Sequence, residues 1–197
     1  MCIRDSFVSD MGDLFGEFIP SEWIVKVIEH IRKFPRTYFL FLTKNPGRYA
    51  EFLDIMPSNA ILGATIETNK DNLYVENKIS RAPLPSVRIR AMIDLEWDKK
   101  FVSIEPVLDF DLEIFTEQLT KIAPLMIYIG YDNYNNRLPE PPLSKVLALI
   151  DELSEGPIMV VRKTLRPAWF EGLAAYMEGS SCRERGLSSG SKRKSAD

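Results

Sequence analysis

The ten residues Thr37-Tyr38-Phe39-Leu40-Phe41-Leu42-Thr43-Lys44-Asn45-Pro46 decide the fold. An almost unbroken apolar run ends in three polar residues and a proline, with Gly47 behind it. A parallel strand covered on both faces has this character, because neither of its sides alternates with solvent. Proline cannot donate to a sheet ladder but suits the first turn of a helix, so a strand is predicted to stop at Leu42 and a helix to follow Pro46. Tyr49, Phe52, Leu53 and Met56 then fall at helical spacing.

Working outward, the same kind of short apolar run recurs at Ser6–Ser9, Ala60–Ile66, Phe101–Ile104, Met126–Ile129 and Ile158–Val161. Helical periodicity fills the segments between them. Ile24, Val27, Ile28 and Ile31 follow Ser21, which is predicted to be an N-cap. Leu112, Phe115, Leu119 and Ile122 form another stripe, as do Leu143, Val146, Leu147 and Ile150. A less regular helix is predicted from about Ser86 to Leu95, and a last one from about Pro167 to Gly179. Strand–helix alternation with short links means parallel strands joined by right-handed crossovers. No Gly-rich phosphate loop follows the first strand, which weighs against a dinucleotide-binding sheet. The fold is therefore predicted to be α/β, a partial TIM-type (β/α) barrel of about six βα units with its N-terminal units missing.

Composition is consistent with one globular domain: 45% hydrophobic and 27% charged residues over 197 positions. No apolar run approaches the roughly 18 residues of a membrane span. Two cysteines, Cys2 and Cys182, make no disulfide framework, so a cytoplasmic, reducing setting is expected. The formal charge is −3, but the tail Ser181–Asp197 holds five basic and two acidic residues, which leaves the body at −6. So acidic a body offers no electrostatic footprint for duplex nucleic acid. The first six residues, Met1 to Ser6, carry no cap, turn or signal-peptide pattern and look like a translated sequencing-adapter scar from a metagenomic reading frame. The expected organisation is a scar over 1–6, a partial barrel over 7–179 and a disordered basic Ser/Gly/Lys tail over 180–197. An open sheet edge at Phe7 would favour self-association.

Polar residues cluster just past the strand ends, the positions that converge on the mouth of a barrel. Asp10 and Asp13 follow the first strand and either orient a ligand or serve as turn and capping residues. Thr43 and Lys44 follow the second, where Lys44 either meets a carboxylate or phosphate or lies along the surface. Glu67 and Glu105 end two further strands and could face a common cavity as paired carboxylates, or bridge to Lys44, Arg162 or Lys163. Glu105, fixed by Pro106, is the strongest single site candidate. Asp132 and Asn133 open a loop that holds Tyr134 and either contacts a base or ribose or is a plain turn. His30, the one histidine, lies in a helical stripe away from every strand end, which removes His-ligated zinc and Ser-His-Asp chemistry from this segment.

Three strings are more specific than the pattern that locates them: Phe7-Val8-Ser9-Asp10-Met11-Gly12-Asp13-Leu14-Phe15-Gly16-Glu17, Phe41-Leu42-Thr43-Lys44-Asn45-Pro46 and Phe101-Val102-Ser103-Ile104-Glu105-Pro106. In that order they resemble a phage and bacterial family of unassigned function that belongs with the radical SAM proteins, over roughly Phe7 to Phe170. The resemblance implies a barrel with a Cys-x3-Cys-x2-Cys-like motif after its first strand. Its three thiolates would hold a [4Fe–4S] cluster, whose fourth iron binds S-adenosylmethionine for radical hydrogen abstraction. This chain departs from that pattern, because Cys2 and Cys182 lie at its ends and no third cysteine exists. The cluster and S-adenosylmethionine are therefore expected only for a full-length protein, and the chain alone is expected to be inactive. Its expected partners are a small-molecule cofactor and an unknown substrate. Two alternatives remain: a non-enzymatic, phage-associated barrel protein binding nucleic acid or a protein partner, and a metal-dependent hydrolase or lyase that uses Glu67 and Glu105.

Overall fold

The computed structural model describes residues 4–9 and 12–172. Six strands form one sheet: β1 (Arg4–Val8), β2 (Thr37–Thr43), β3 (Ala60–Thr65), β4 (Lys100–Ile104), β5 (Met126–Ile129) and β6 (Met159–Arg162). Every neighbouring pair is parallel, and spatial order equals sequence order. A doubly wound sheet would reverse its order at a switch point. With no reversal, right-handed crossovers carry every helix to the same face, and the sheet curls into a half-barrel.

The two faces of the sheet carry different residues. Phe41, Leu62, Ala64, Val102, Ile104, Ile127 and Ile129 point outward and form one core with the helices. These helices are α1 (Ser21–Ile31), α3 (Pro85–Asp94), α4 (Leu112–Ile122) and α5 (Leu143–Ser154), while the short α2 (Asp71–Glu76) packs against α3. Residues of opposite parity line the concave side, where Leu40, Ile61 and Phe101 pack with Leu42, Met126 and Tyr128 as a second, smaller cluster. Gly63 makes that cluster possible: a Cβ there would stand 2.2 Å from Cε1 of Phe101, so the ring lies directly over the β3 backbone. Phe7 and Tyr128 meet Phe101 edge-on from either side, at 6.1 and 6.0 Å between centroids.

The six predicted strands are present, each shifted by no more than two residues at either end. Several local expectations are corrected. β1 begins at Arg4, so three residues assigned to the scar pair with Thr37, Tyr38 and Phe39 of β2. Residues Pro46–Ile55 form a 3-10 helix rather than an α-helix. Three residues per turn put Pro46, Tyr49 and Phe52 on one buried face, a spacing that the α-helical stripe imitates over so short a stretch. Ser21 is the first residue of α1 rather than its cap, and its hydroxyl accepts from Arg48 Nη2 at 3.2 Å instead. α2 was not predicted. Central β3 and β4 are buried throughout, as two-sided coverage requires, whereas β6 is exposed at both ends. Among the described residues no helix is long and apolar enough to cross a membrane. The tail, both cysteines and most of the last predicted helix lie outside the described residues.

Candidate functional site

β2 ends one residue past the predicted Leu42, at Thr43. Thr43 is buried, and its hydroxyl accepts the N–H of Asn45 at 2.9 Å, which turns the chain into the 3-10 helix at Pro46. Thr43 thus shapes the strand end. The N–H of Lys44 donates to Oδ2 of Asp13 at 2.8 Å, and Oδ1 of Asp13 accepts the N–H of Phe15 at 3.1 Å. Asp13 caps no helix. It joins the loop after β1 to the end of β2 while still lining the cavity at the mouth. Asp10 lies outside the described residues.

The side chain of Lys44 turns inward. Its ammonium meets Oε1 of Glu67 at 2.5 Å, and Oε2 of Glu67 accepts from Nη1 of Arg88 at 2.8 Å. Glu67 and Arg88 are both fully buried, whereas Lys44 remains 33% exposed. Arg88 also donates to the carbonyls of Thr65 at 2.9 Å and Pro83 at 2.6 Å, and to the hydroxyl of Tyr74. A buried charge persists only with such complete pairing. Cation, anion and cation in a row leave an excess of one positive charge, whose solvent end is Lys44. Both oxygens of Glu67 are thereby taken: of the two readings open for it, the structure holds the bridge to Lys44 rather than a carboxylate pair with Glu105. Arg88 was not singled out from sequence. The available signal was an arginine beside Ile89 and one turn before Met92, on the face of α3 that is otherwise apolar.

Glu105 is different. It follows β4 at a cis Glu105–Pro106 peptide, and among the described residues its one side-chain hydrogen bond is from the Ser103 hydroxyl to Oε2 at 3.2 Å. Among the described residues it has no ion-pair partner. Lys163 follows β6 and likewise forms no ion pair, its ammonium lying 4.9 Å from the centre of the Tyr128 ring. Gly130 lies between the two: a Cβ there would come within 2.8 Å of Lys163 Cβ and 3.2 Å of Glu105 Oε1. Burial raises the pKa of Tyr128, and the carboxylates of Asp5 and Glu105 raise it further, so its phenol stays protonated at neutral pH. Lys44, Glu105, Lys163 and Tyr128 line one cavity of about 490 Å³, together with Asp13, Ser103 and an apolar floor of Phe7, Leu42 and Phe101.

Asp132 and Asn133 do not join them. Asp132 accepts the N–H groups of Tyr134 and Asn136 at 3.1 and 2.7 Å and so organises its own loop. Burial alone would raise its pKa, but these bonds and the nearby Arg166 guanidinium bring it below the ordinary value. The plain-turn reading therefore describes Asp132, while Asn133 is exposed beside a separate cleft.

A second charge cluster was also missed. Asp109 receives Lys70 at 2.7 Å and Lys145 at 2.8 Å, and Lys70 reaches Asp111 at 3.2 Å. Burial opposes ionisation of Asp109, but the two ammonium groups outweigh it and hold the carboxyl below its usual 3.8. A depressed carboxylate pKa stabilises the fold above the unfolded value near 4, and the gain is lost as pH falls through the folded value. Melting temperatures of the wild type and Asp109→Asn should differ at pH 6 and converge below about pH 4. A constant gap down to about pH 2.5 would refute this.

The family described as "Protein of unknown function (DUF5131)" matches residues 3–127, more than half of the chain. The match includes Asp13, Thr43, Lys44, Glu67 and Glu105 and stops within β5, before Asp132 and Lys163. No curated protein matches the chain.

Proposed function

The chain belongs to this DUF5131 family, and from that premise we propose that the mouth of the half-barrel is the binding and reaction face of a cytoplasmic enzyme acting on a small molecule. One observation carries the reading. Ionisable groups from the ends of β2, β4 and β6 line a single cavity with an apolar floor, at the carboxyl ends of parallel strands. In this reading the half-barrel is part of a TIM-type (β/α) barrel.

The roles follow from the pairing. Glu105 holds a carboxylate free to accept a hydrogen bond or a proton from the ligand. Lys163 and the solvent end of Lys44 neutralise negative charge on it, and the protonated Tyr128 phenol donates. Phe7, Leu42 and Phe101 exclude water beneath, which strengthens each of these interactions. Glu67 and Arg88 position Lys44 and need not touch the ligand.

A narrower version makes the protein radical-SAM-like, of phage or bacterial type, with a [4Fe–4S] cluster and S-adenosylmethionine. The chain's two cysteines fall short of three thiolates. The described residues contain no group of three His, Cys, Asp or Glu side chains that could hold a metal. The residues present do not fit the cluster, and no step is routed through it. Its ligands would have to come from outside this sequence. Sequencing the source DNA upstream of the Phe7 codon tests that version: an in-frame extension with three closely spaced cysteines supports it, and an immediate stop codon ends it.

The broader reading is tested by differential scanning fluorimetry with a panel of small metabolites that includes S-adenosylmethionine. At least one compound should raise the melting temperature of the wild type and not that of Glu105→Ala. Far-UV circular dichroism of the variant should match the wild type, because Glu105 forms no ion pair among the described residues and accepts only a long bond from the Ser103 hydroxyl, at 3.2 Å. An unfolded variant, or a panel in which no compound distinguishes the two proteins, would count against the mouth as a site.

A further inference from the structure

The loop after β5 and the segment after β6 form a corner whose charges and aromatics are sorted. Its carboxylates each accept hydrogen bonds from the corner's own groups. Asp132 accepts from its own loop. Glu140 is buried and holds Arg166 through both oxygens at 2.9 and 2.7 Å. Glu171 accepts the N–H groups of Leu143 and Ala168 at 3.0 and 2.6 Å. Amides, aromatics and cations face outward. Asn133 and Asn135 line a cleft of about 410 Å³ opposite Trp169. Tyr134, between those asparagines in the chain, is 85% exposed, and Trp169 and Phe170 are each 36% exposed. Arg137 is exposed on the same loop, and Arg166 lines the cleft.

Trp169 is held in place. Its indole N–H donates to the carbonyl of Leu138 at 2.8 Å, its backbone N–H donates to Glu140 at 3.1 Å, and its ring meets Phe170 edge-on at 5.6 Å. Arg166 lies 5.0 Å from the centre of the Tyr131 ring and donates to the carbonyl of Asp132 at 2.8 Å, which ties the two segments together. A fixed indole, an exposed phenol and amide side chains without hydrogen-bond partners among the described residues, with cations beside them, suit a flat, hydrogen-bonding, negatively charged ligand. Unpaired bases on a phosphate backbone have all of these properties. Duplex ends and interiors hide the base faces and edges that such a cleft would read.

We propose that this corner binds single-stranded nucleic acid, with bases stacked on Tyr134 and Trp169, base edges on Asn133 and Asn135, and phosphates near Arg137. The inference goes beyond the proposed enzyme and does not depend on it, since the cleft and the mouth cavity have no lining residue in common.

Fluorescence anisotropy with labelled oligothymidylate and the full chain tests it. The expected result is salt-sensitive binding that weakens about fivefold or more in Tyr134→Ala, with little competition from duplex of equal length. Tyr134 is almost fully exposed, so this variant should fold. Trp169→Phe, which keeps an aromatic ring, should lose less affinity than Trp169→Ala. The basic tail gives a built-in control. Binding that vanishes when Lys192, Arg193 and Lys194 are changed to glutamine, yet is indifferent to Tyr134→Ala, would overturn the proposal. Equal affinity for duplex, or no binding at low salt, would overturn it as well.

Discussion

Arg88→Ala is expected to destabilise the protein by about 3–5 kcal/mol, a large share of the stability of a domain this size. The cause is what it leaves behind. Glu67 is fully buried and would keep only Lys44, while the carbonyls of Thr65 and Pro83 and the Tyr74 hydroxyl would each lose a donor. Urea denaturation gives the magnitude, and a double-mutant cycle gives the mechanism. Arg88→Met combined with Glu67→Leu removes both charges and fills part of the space, so it should cost clearly less than the two single losses added together. Additive losses would mean that the two side chains act independently and that the ion pair does not organise this wall of the half-barrel. The functional consequence reaches the mouth, since Lys44 is oriented by Glu67.

Phe15→Ala should have an effect of similar size, about 3–5 kcal/mol. Phe15 is fully buried, and its ring packs edge-on against Tyr49, Phe41 and Phe52 at 4.5, 5.7 and 5.9 Å between centroids. The same residue fixes the loop between β1 and α1 through its main chain, where its carbonyl accepts from the Asn45 side chain at 3.1 Å. Removing the ring therefore opens a cavity between sheet and helices and also loosens the loop that carries Asp13. Denaturation and limited proteolysis should agree, with faster cleavage between Gly12 and Pro20 in the variant. A loss under about 1 kcal/mol would show that the surrounding rings collapse to fill the space, and unchanged proteolysis would separate the loop from the core.

The candidate site was only partly legible in the sequence. Lys44, Glu105 and Lys163 were found because each follows an apolar run at the carboxyl end of a strand, and such ends share one rim in a parallel, unreversed sheet. Asp13 was found for the same reason, yet its carboxylate serves two backbone N–H groups. Position along the chain shows which rim a residue occupies but not what its side chain will meet there. Asp132 and Asn133 end β5 by the same rule and nevertheless belong to another cleft. The loop that follows folds back on Asp132 through bonds spanning two and four residues, which draws the carboxylate away from the mouth.

What the sequence determined by itself is the succession of elements and their direction. Apolar runs between helical stripes require parallel strands with crossovers, and that pattern depends on spacing within a few residues of each position. Only the tertiary structure decided which charges meet. Glu67 finds Arg88 across 21 residues, and Asp109 finds Lys70 across 39 and Lys145 across 36. The 3-10 geometry of Pro46–Ile55 was likewise settled by packing, because Pro46, Tyr49 and Phe52 share one buried face only at three residues per turn. Side-chain partnership depends on the curl of the sheet and the seating of each helix against it. Those are set by the packing of the whole core, and no local stretch of sequence contains them.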